Sequence, residues 1–135
     1  MLPPLFLLLL LLLPSTVAYF DESTFHFSGF IVCQYNQTFT YRIHVLEMDT
    51  VTPNDEIYVS TNITATSSPS LYNIVAVEDD DGPGDNFFEI EFLIFHDCAV
   101  RRVYTKAIVG QFKVERNGNH VHRADFDITN KGIPY

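Results

Sequence analysis

Apolar and polar positions alternate with a period of two along most of this chain from residue 25 onward. That period places successive side chains on opposite faces of a strand. Phe25 to Cys33 forms the first apolar, β-branched and aromatic run. Phe39 to Met48 alternates, with Tyr41, Ile43 and Val45 read on one face and Arg42, His44 and Glu47 mostly on the other. Glu56 to Thr61 and Leu71 to Val77 predict two further strands. Phe88, Ile90, Phe92 and Ile94 then share a face, with Glu89 and Glu91 opposite. Arg101 to Glu115 predicts one or two strands broken at Gly110, and Asn117-Gly118 is a hairpin signal. His122, Ala124, Phe126 and Ile128 are expected to face one way, and Arg123, Asp125 and Asp127 the other. Turn chemistry at Thr52-Pro53-Asn54-Asp55 and a loop at Thr66-Ser67-Ser68-Pro69-Ser70 separate these runs. No helical period stands out. Seven or eight short, evenly spaced strands predict an all-β antiparallel sandwich.

The N-terminus breaks this pattern. Leu5 to Leu13 is leucine throughout except for Phe6. It is too short for a bilayer span, which needs about 20 apolar residues. Pro14 and Ser15 end the run, and Thr16-Val17-Ala18 offers small residues for a signal peptidase, so residues 1–18 read as a signal peptide cut after Ala18. No Lys or Arg precedes the leucines, and an uncleaved anchor is the alternative. No second apolar run of that length follows, so no transmembrane span is expected. Residues 19–135 then form one domain, long enough for a core without many staples.

Export changes the reading of the two cysteines. In an oxidising compartment Cys33 and Cys98 are expected to form a disulfide joining the ends of two strands. Two buried free thiols are the competing reading. So is a Cys98 nucleophile served by His96, although residues two apart on a strand meet poorly. Asn36-Gln37-Thr38 and Asn62-Ile63-Thr64 are sequons, which in a secreted chain mark Asn36 and Asn62 as exposed acceptors of N-glycans.

Twelve Phe and seven Tyr suit half-buried strands. The net charge of −9 repels nucleic acid and anionic lipid, which excludes simple electrostatic binding to either. His120 and His122 share one strand face at a spacing that chelates zinc or copper; two histidines capping the edge of a core is the competing reading. Glu78-Asp79-Asp80-Asp81-Gly82-Pro83-Gly84-Asp85 has carboxylates for calcium, with Asp79, Asp80, Asp81 and Asp85 as ligand candidates. It lacks the EF-hand spacing, and a solvated loop is the alternative. No cofactor is expected.

The order of residues resembles a known family. A strand ends in Gly29-x-x-x-Cys33, an alternating strand runs into Leu46-Glu47-Met48-Asp49, and Asn54-Asp55-Glu56 follows. Later come His96-Asp97-Cys98, the basic pair Arg101-Arg102 and Phe126-Asp127-Ile128. Over residues 28–128 the chain resembles the nematode transthyretin-like family of small secreted proteins, as a divergent member without that family's further cysteines. The resemblance implies a transthyretin-like β-sandwich outside cells, acting as a non-enzymatic binding, bridging or signalling module. The expected partner is an extracellular or cell-surface protein, or a lipid. A carrier of small apolar molecules is the alternative, in which a dimer or tetramer forms the channel; the sequence leaves the oligomeric state open. The related hydroxyisourate hydrolases carry a Tyr-Arg-Gly-Ser motif that this sequence lacks, so no catalytic residue is expected.

Overall fold

A computed structural model describes residues 22–35, 37–50, 52–79 and 86–135. The leader at 1–18, Asn36, and Asp80, Asp81 and Asp85 lie outside the described residues. Ten strands and no helix occur among the described residues. They are β1 (Ser23–Val32), β2 (Phe39–Glu47), β3 (Asp55–Val59), β4 (Ile63–Ala65), β5 (Ser70–Glu78), β6 (Phe87–His96), β7 (Val103–Lys113), β8 (Asn119–Arg123), β9 (Phe126–Asp127) and β10 (Ile133–Pro134). β1 and β2 alternate buried and half-buried positions without a break, as their sequence period dictates.

The strands form two sheets in a sandwich-like arrangement. The smaller runs β5-β1-β8, with β9 also on β1. The larger runs β10-β7-β6-β2-β3, with β4 also on β2. Four expectations need correction. The sandwich is not wholly antiparallel: β1 pairs in parallel with β8 and with β9. Asn117-Gly118 makes a tight turn, with Asn117 at φ 52° and the Gly118 N–H donating to the Glu115 carbonyl, but it closes no hairpin. The strands it joins belong to different sheets, because the Thr24 N–H captures the Gly118 carbonyl and steers β8 onto β1. The expected break at Gly110 is a register shift within one continuous strand, β7.

The inner faces interdigitate through aromatic rings. Phe25 meets Phe88 edge to face at 5.4 Å, and Phe27 meets Phe92 likewise at 5.2 Å. Phe88, Ile90, Phe92 and Ile94 are all buried, as their alternation predicts. Glu47 is the exception. It shares the inward face with Tyr41, Ile43 and Val45 and is 1% exposed, so its assignment to the outer face is corrected. An unbroken strand keeps every second residue on one face, whatever its polarity.

The disulfide joins the sheets. Cys33 follows β1 and Cys98 follows β6, with Cα atoms 6.0 Å apart, and both residues are buried. Between β8 and β9 the chain leaves the β1 ladder, and the Asp125 carboxylate takes the vacated acceptor position by receiving the Phe30 N–H at 2.9 Å.

Candidate functional site

Three regions hold the side chains singled out by the sequence. The first surrounds the disulfide. His96 is 3% exposed, and its Nε2 lies 3.0 Å from Thr105 Oγ1. Burial pushes its pKa below the ordinary imidazole value, partly offset by Asp97 and by the backbone of Lys131. With Cys98 oxidised and His96 engaged by Thr105, the two do not form a nucleophile and base.

A cleft of about 290 Å³ opens beside this end on the outer face of the larger sheet. Its floor is built by cross-strand register: Arg42 on β2 pairs with Phe95 on β6, and Phe95 pairs with Tyr104 on β7. The Arg42 guanidinium lies over the Phe95 ring at 5.2 Å, and Tyr135 meets the same ring edge to face at 5.2 Å. His44 packs on Phe95 at 4.8 Å, with its Nδ1 2.6 Å from Glu56 Oε2. Thr40, Asp97, Arg102 and Asn62 complete the walls. The Asp97 carboxylate is held by the Thr40 N–H at 2.7 Å. Sequence reasoning did not find this cleft, since its residues come from five separate stretches of chain.

The second region is acidic. Carboxylate oxygens of Glu47, Asp49 and Asp55 lie within 4.8 Å of one another. The Glu89 N–H donates to Glu47 Oε1 at 3.3 Å, and the Asp49 N–H donates to Asn54 Oδ1 at 3.1 Å. Burial raises the Glu78 pKa, and the negative charges of Asp55, Asp79 and Asp49 raise it further, against a lowering hydrogen bond from the Asp79 backbone. Hard oxygen ligands grouped this way suit a cation of the calcium class. The structure thus gathers carboxylates that sequence reasoning placed elsewhere, and Asp79 alone of the four calcium candidates is described. The available signal was the parity of Glu47, an acid on the apolar face of β2.

The third region holds the histidine pair. His120 stacks on Phe25 at 5.0 Å and 22°, and both His120 and His122 contact Phe112. These contacts set the two imidazoles against the rim of the core. His26 lies on the opposite face of β1 from Phe25, and His44 lies in the other sheet. Among the described residues, the one grouping of three or more metal-ligand side chains contains no histidine.

The outer face of the smaller sheet differs in kind. Leu71, Val75, Val77 and Val121 are each at least 46% exposed. Register places Val75 and Val121 on either side of His26, and Leu71 beside Phe30. Thr24, Ser28, Asn73, Asn119 and Arg123 complete this face, so β1, β5 and β8 present no outward carboxylate between Thr24 and Phe30. Asn62 is exposed just before β4, and Thr64 is exposed within it. No described helix is long and apolar enough to cross a membrane.

No family model and no solved structure matches this chain. It is similar to an uncharacterized protein of Caenorhabditis elegans, 32% identical over 78 residues. The match covers 58% of this chain, and the chain spans 58% of that relative's length.

Proposed function

We propose that this chain is a secreted, non-enzymatic transthyretin-like module that binds an extracellular or cell-surface protein through the outer face of its smaller sheet. The observation that carries this reading is the apolar face itself. On a chain of net charge −9, Val75 and Val121 flank His26, Val77 lies next to them beside Thr24, and Leu71 lies farther along beside Phe30, with no carboxylate among them. Contiguous exposed apolar surface rimmed by polar groups is typical of protein interaction sites. Export is supported by the leucine leader together with the buried Cys33–Cys98 bridge, since disulfides persist in oxidising compartments.

The test uses the full chain produced through a eukaryotic secretory pathway. The expected product is exported, cut after Ala18, and binds intact cells or matrix through a protein component. V75D and V121D should abolish that binding without lowering Tm. Retention of an uncut chain, or binding indifferent to both changes, would count against the proposal. Repeating the assay with phosphatidylserine vesicles and calcium separates out a lipid partner bridged by the acidic end.

The same face supports a second reading, a carrier whose copies associate to enclose small apolar molecules. A monomer in gel filtration at micromolar concentration rules that out. Turnover of hydroxyisourate by the purified protein would replace both readings with an enzyme.

A further inference from the structure

Asn62 is both the acceptor of a sequon and a wall of the cleft over Phe95. We infer that the cleft is the seat of the first sugar of an N-glycan on Asn62, so that the modification closes the outer face of the larger sheet. The inference rests on the export reading above.

The covalent step is ordinary. The Asn62 side-chain nitrogen forms a bond to C1 of an N-acetylglucosamine carried on a lipid-linked donor. The amide loses a proton, and the lipid pyrophosphate leaves with the bonding pair. Thr64 supplies the hydroxyl residue of the sequon and is exposed on the same strand edge.

What is particular to this chain is where that sugar begins. β4 pairs with β2 so that Tyr41 faces Ile63 and Thr40 faces Thr64, which carries Asn62 to the flank of Arg42. A sugar on Asn62 therefore starts inside the cleft wall. The cleft, about 290 Å³, is near the lower limit of ligand pockets, roughly 300–1,000 Å³, a size for one or two rings. Its chemistry suits a pyranose. Tyr135, largely exposed and packed edge to face with Phe95, offers apolar ring surface to the C–H face of a sugar. Thr40, Asp97 and Arg102 stand around that surface as hydrogen-bonding groups for hydroxyls and the acetamide. The Arg42 Nε–H is buried and has no hydrogen-bond partner among the described residues. Buried donors are nearly always satisfied, and a sugar oxygen would satisfy this one once the guanidinium turns toward the cleft. A free anion held by Arg42 and Arg102 is the competing occupant.

The test compares three forms of the exported protein: the native glycoform, the glycoform trimmed to one N-acetylglucosamine, and N62Q. The inference expects Asn62 to be occupied by peptide mapping. It expects nuclear Overhauser contacts from the first sugar to the Phe95 and Tyr135 rings, and slower amide exchange over 40–42 and 95–97 than in N62Q. Y135A should lose those contacts at unchanged Tm. An exported chain with Asn62 empty, or with a sugar that makes no ring contact, overturns the seat and leaves the binding proposal standing. Failure of export overturns both. Inorganic phosphate that shifts the Arg42 and Arg102 resonances equally in glycoform and N62Q also overturns the seat, because the cleft is then an open anion site.

Discussion

The Tyr72 hydroxyl donates to the Ala124 carbonyl at 2.6 Å, reaching directly across Gly29 to do so. Gly29 is the register partner of Tyr72 on β1 and has φ 156°. A Cβ at that position would lie 1.9 Å from the Ala124 oxygen. One glycine therefore lets a tyrosine from β5 tie down the crossing between β8 and β9. G29A should prevent native folding or lower Tm by far more than Y72F. Y72F should cost about 1–2 kcal/mol by leaving the carbonyl without its donor. Denaturant unfolding of both variants checks the order.

The same phenol predicts an alkaline effect. Burial raises the Tyr72 pKa strongly above 10, the Asp125 charge raises it further, and the hydrogen bond to Ala124 opposes them. A phenol whose pKa is higher folded than unfolded gives stability that is complete below pH 10 and lost as pH rises toward the folded value. Absorbance titration at high pH should show one tyrosine ionising only as the protein unfolds, and Y72F should remove that step.

The bridge between Cys33 and Cys98 closes a separation of 65 residues. Chain entropy for a loop of that size corresponds to about 4 kcal/mol. The double variant C33S/C98S should lose about 2–4 kcal/mol, read as a shift in the urea midpoint. Mass analysis after alkylation without reduction should find no free thiol in the native protein.

Acidic and imidazole groups pull stability in opposite directions as pH falls. Glu78 is raised above its unfolded pKa, chiefly by burial, so the folded state gains as that carboxylate takes up its proton. E78Q should therefore raise Tm at neutral pH, and the gain should vanish once the solution is acidic enough to protonate Glu78 itself. Thermal melts across a pH series test this.

His96 works the other way. Burial lowers its pKa, so the native state holds it neutral. Its contribution is complete above pH 6.5 and is lost as pH falls from there toward the folded value. Proton NMR of the His96 ring should show it titrating below the ordinary imidazole value, and the urea midpoint should drop as pH passes below 6.5.

The long strands were legible because β1, β2 and β6 obey one period over nine or ten residues. β4, β9 and β10, with two or three residues each, are too short to show a period. Which strands share a sheet was not local information. Asn117-Gly118 has hairpin chemistry, yet a contact with Thr24, far away in sequence, decides where β8 goes. The sites divide similarly. The cysteine pairing followed from compartment and number. The Glu47, Asp49 and Asp55 group depended on a parity that was visible but overridden by polarity. The cleft over Phe95 needed three-dimensional register, since Arg42, Asn62, Phe95 and Tyr135 share no motif.

The parallel pairing of β1 bears on how the protein is made. β1 is synthesised before every other strand, yet its partners on one side are Asn119–Arg123 and Phe126–Asp127. A growing chain can assemble β2, β6 and β7 into the larger sheet while β1, with Phe25, Phe27 and Ile31, still has an open edge. Long-range pairing of this sort is slow and leaves strand edges exposed to aggregation. The smaller sheet therefore closes only once β8 and β9 have emerged, and a chain cut short before Asn119 would leave the ribosome with an aromatic strand ready to recruit its neighbours.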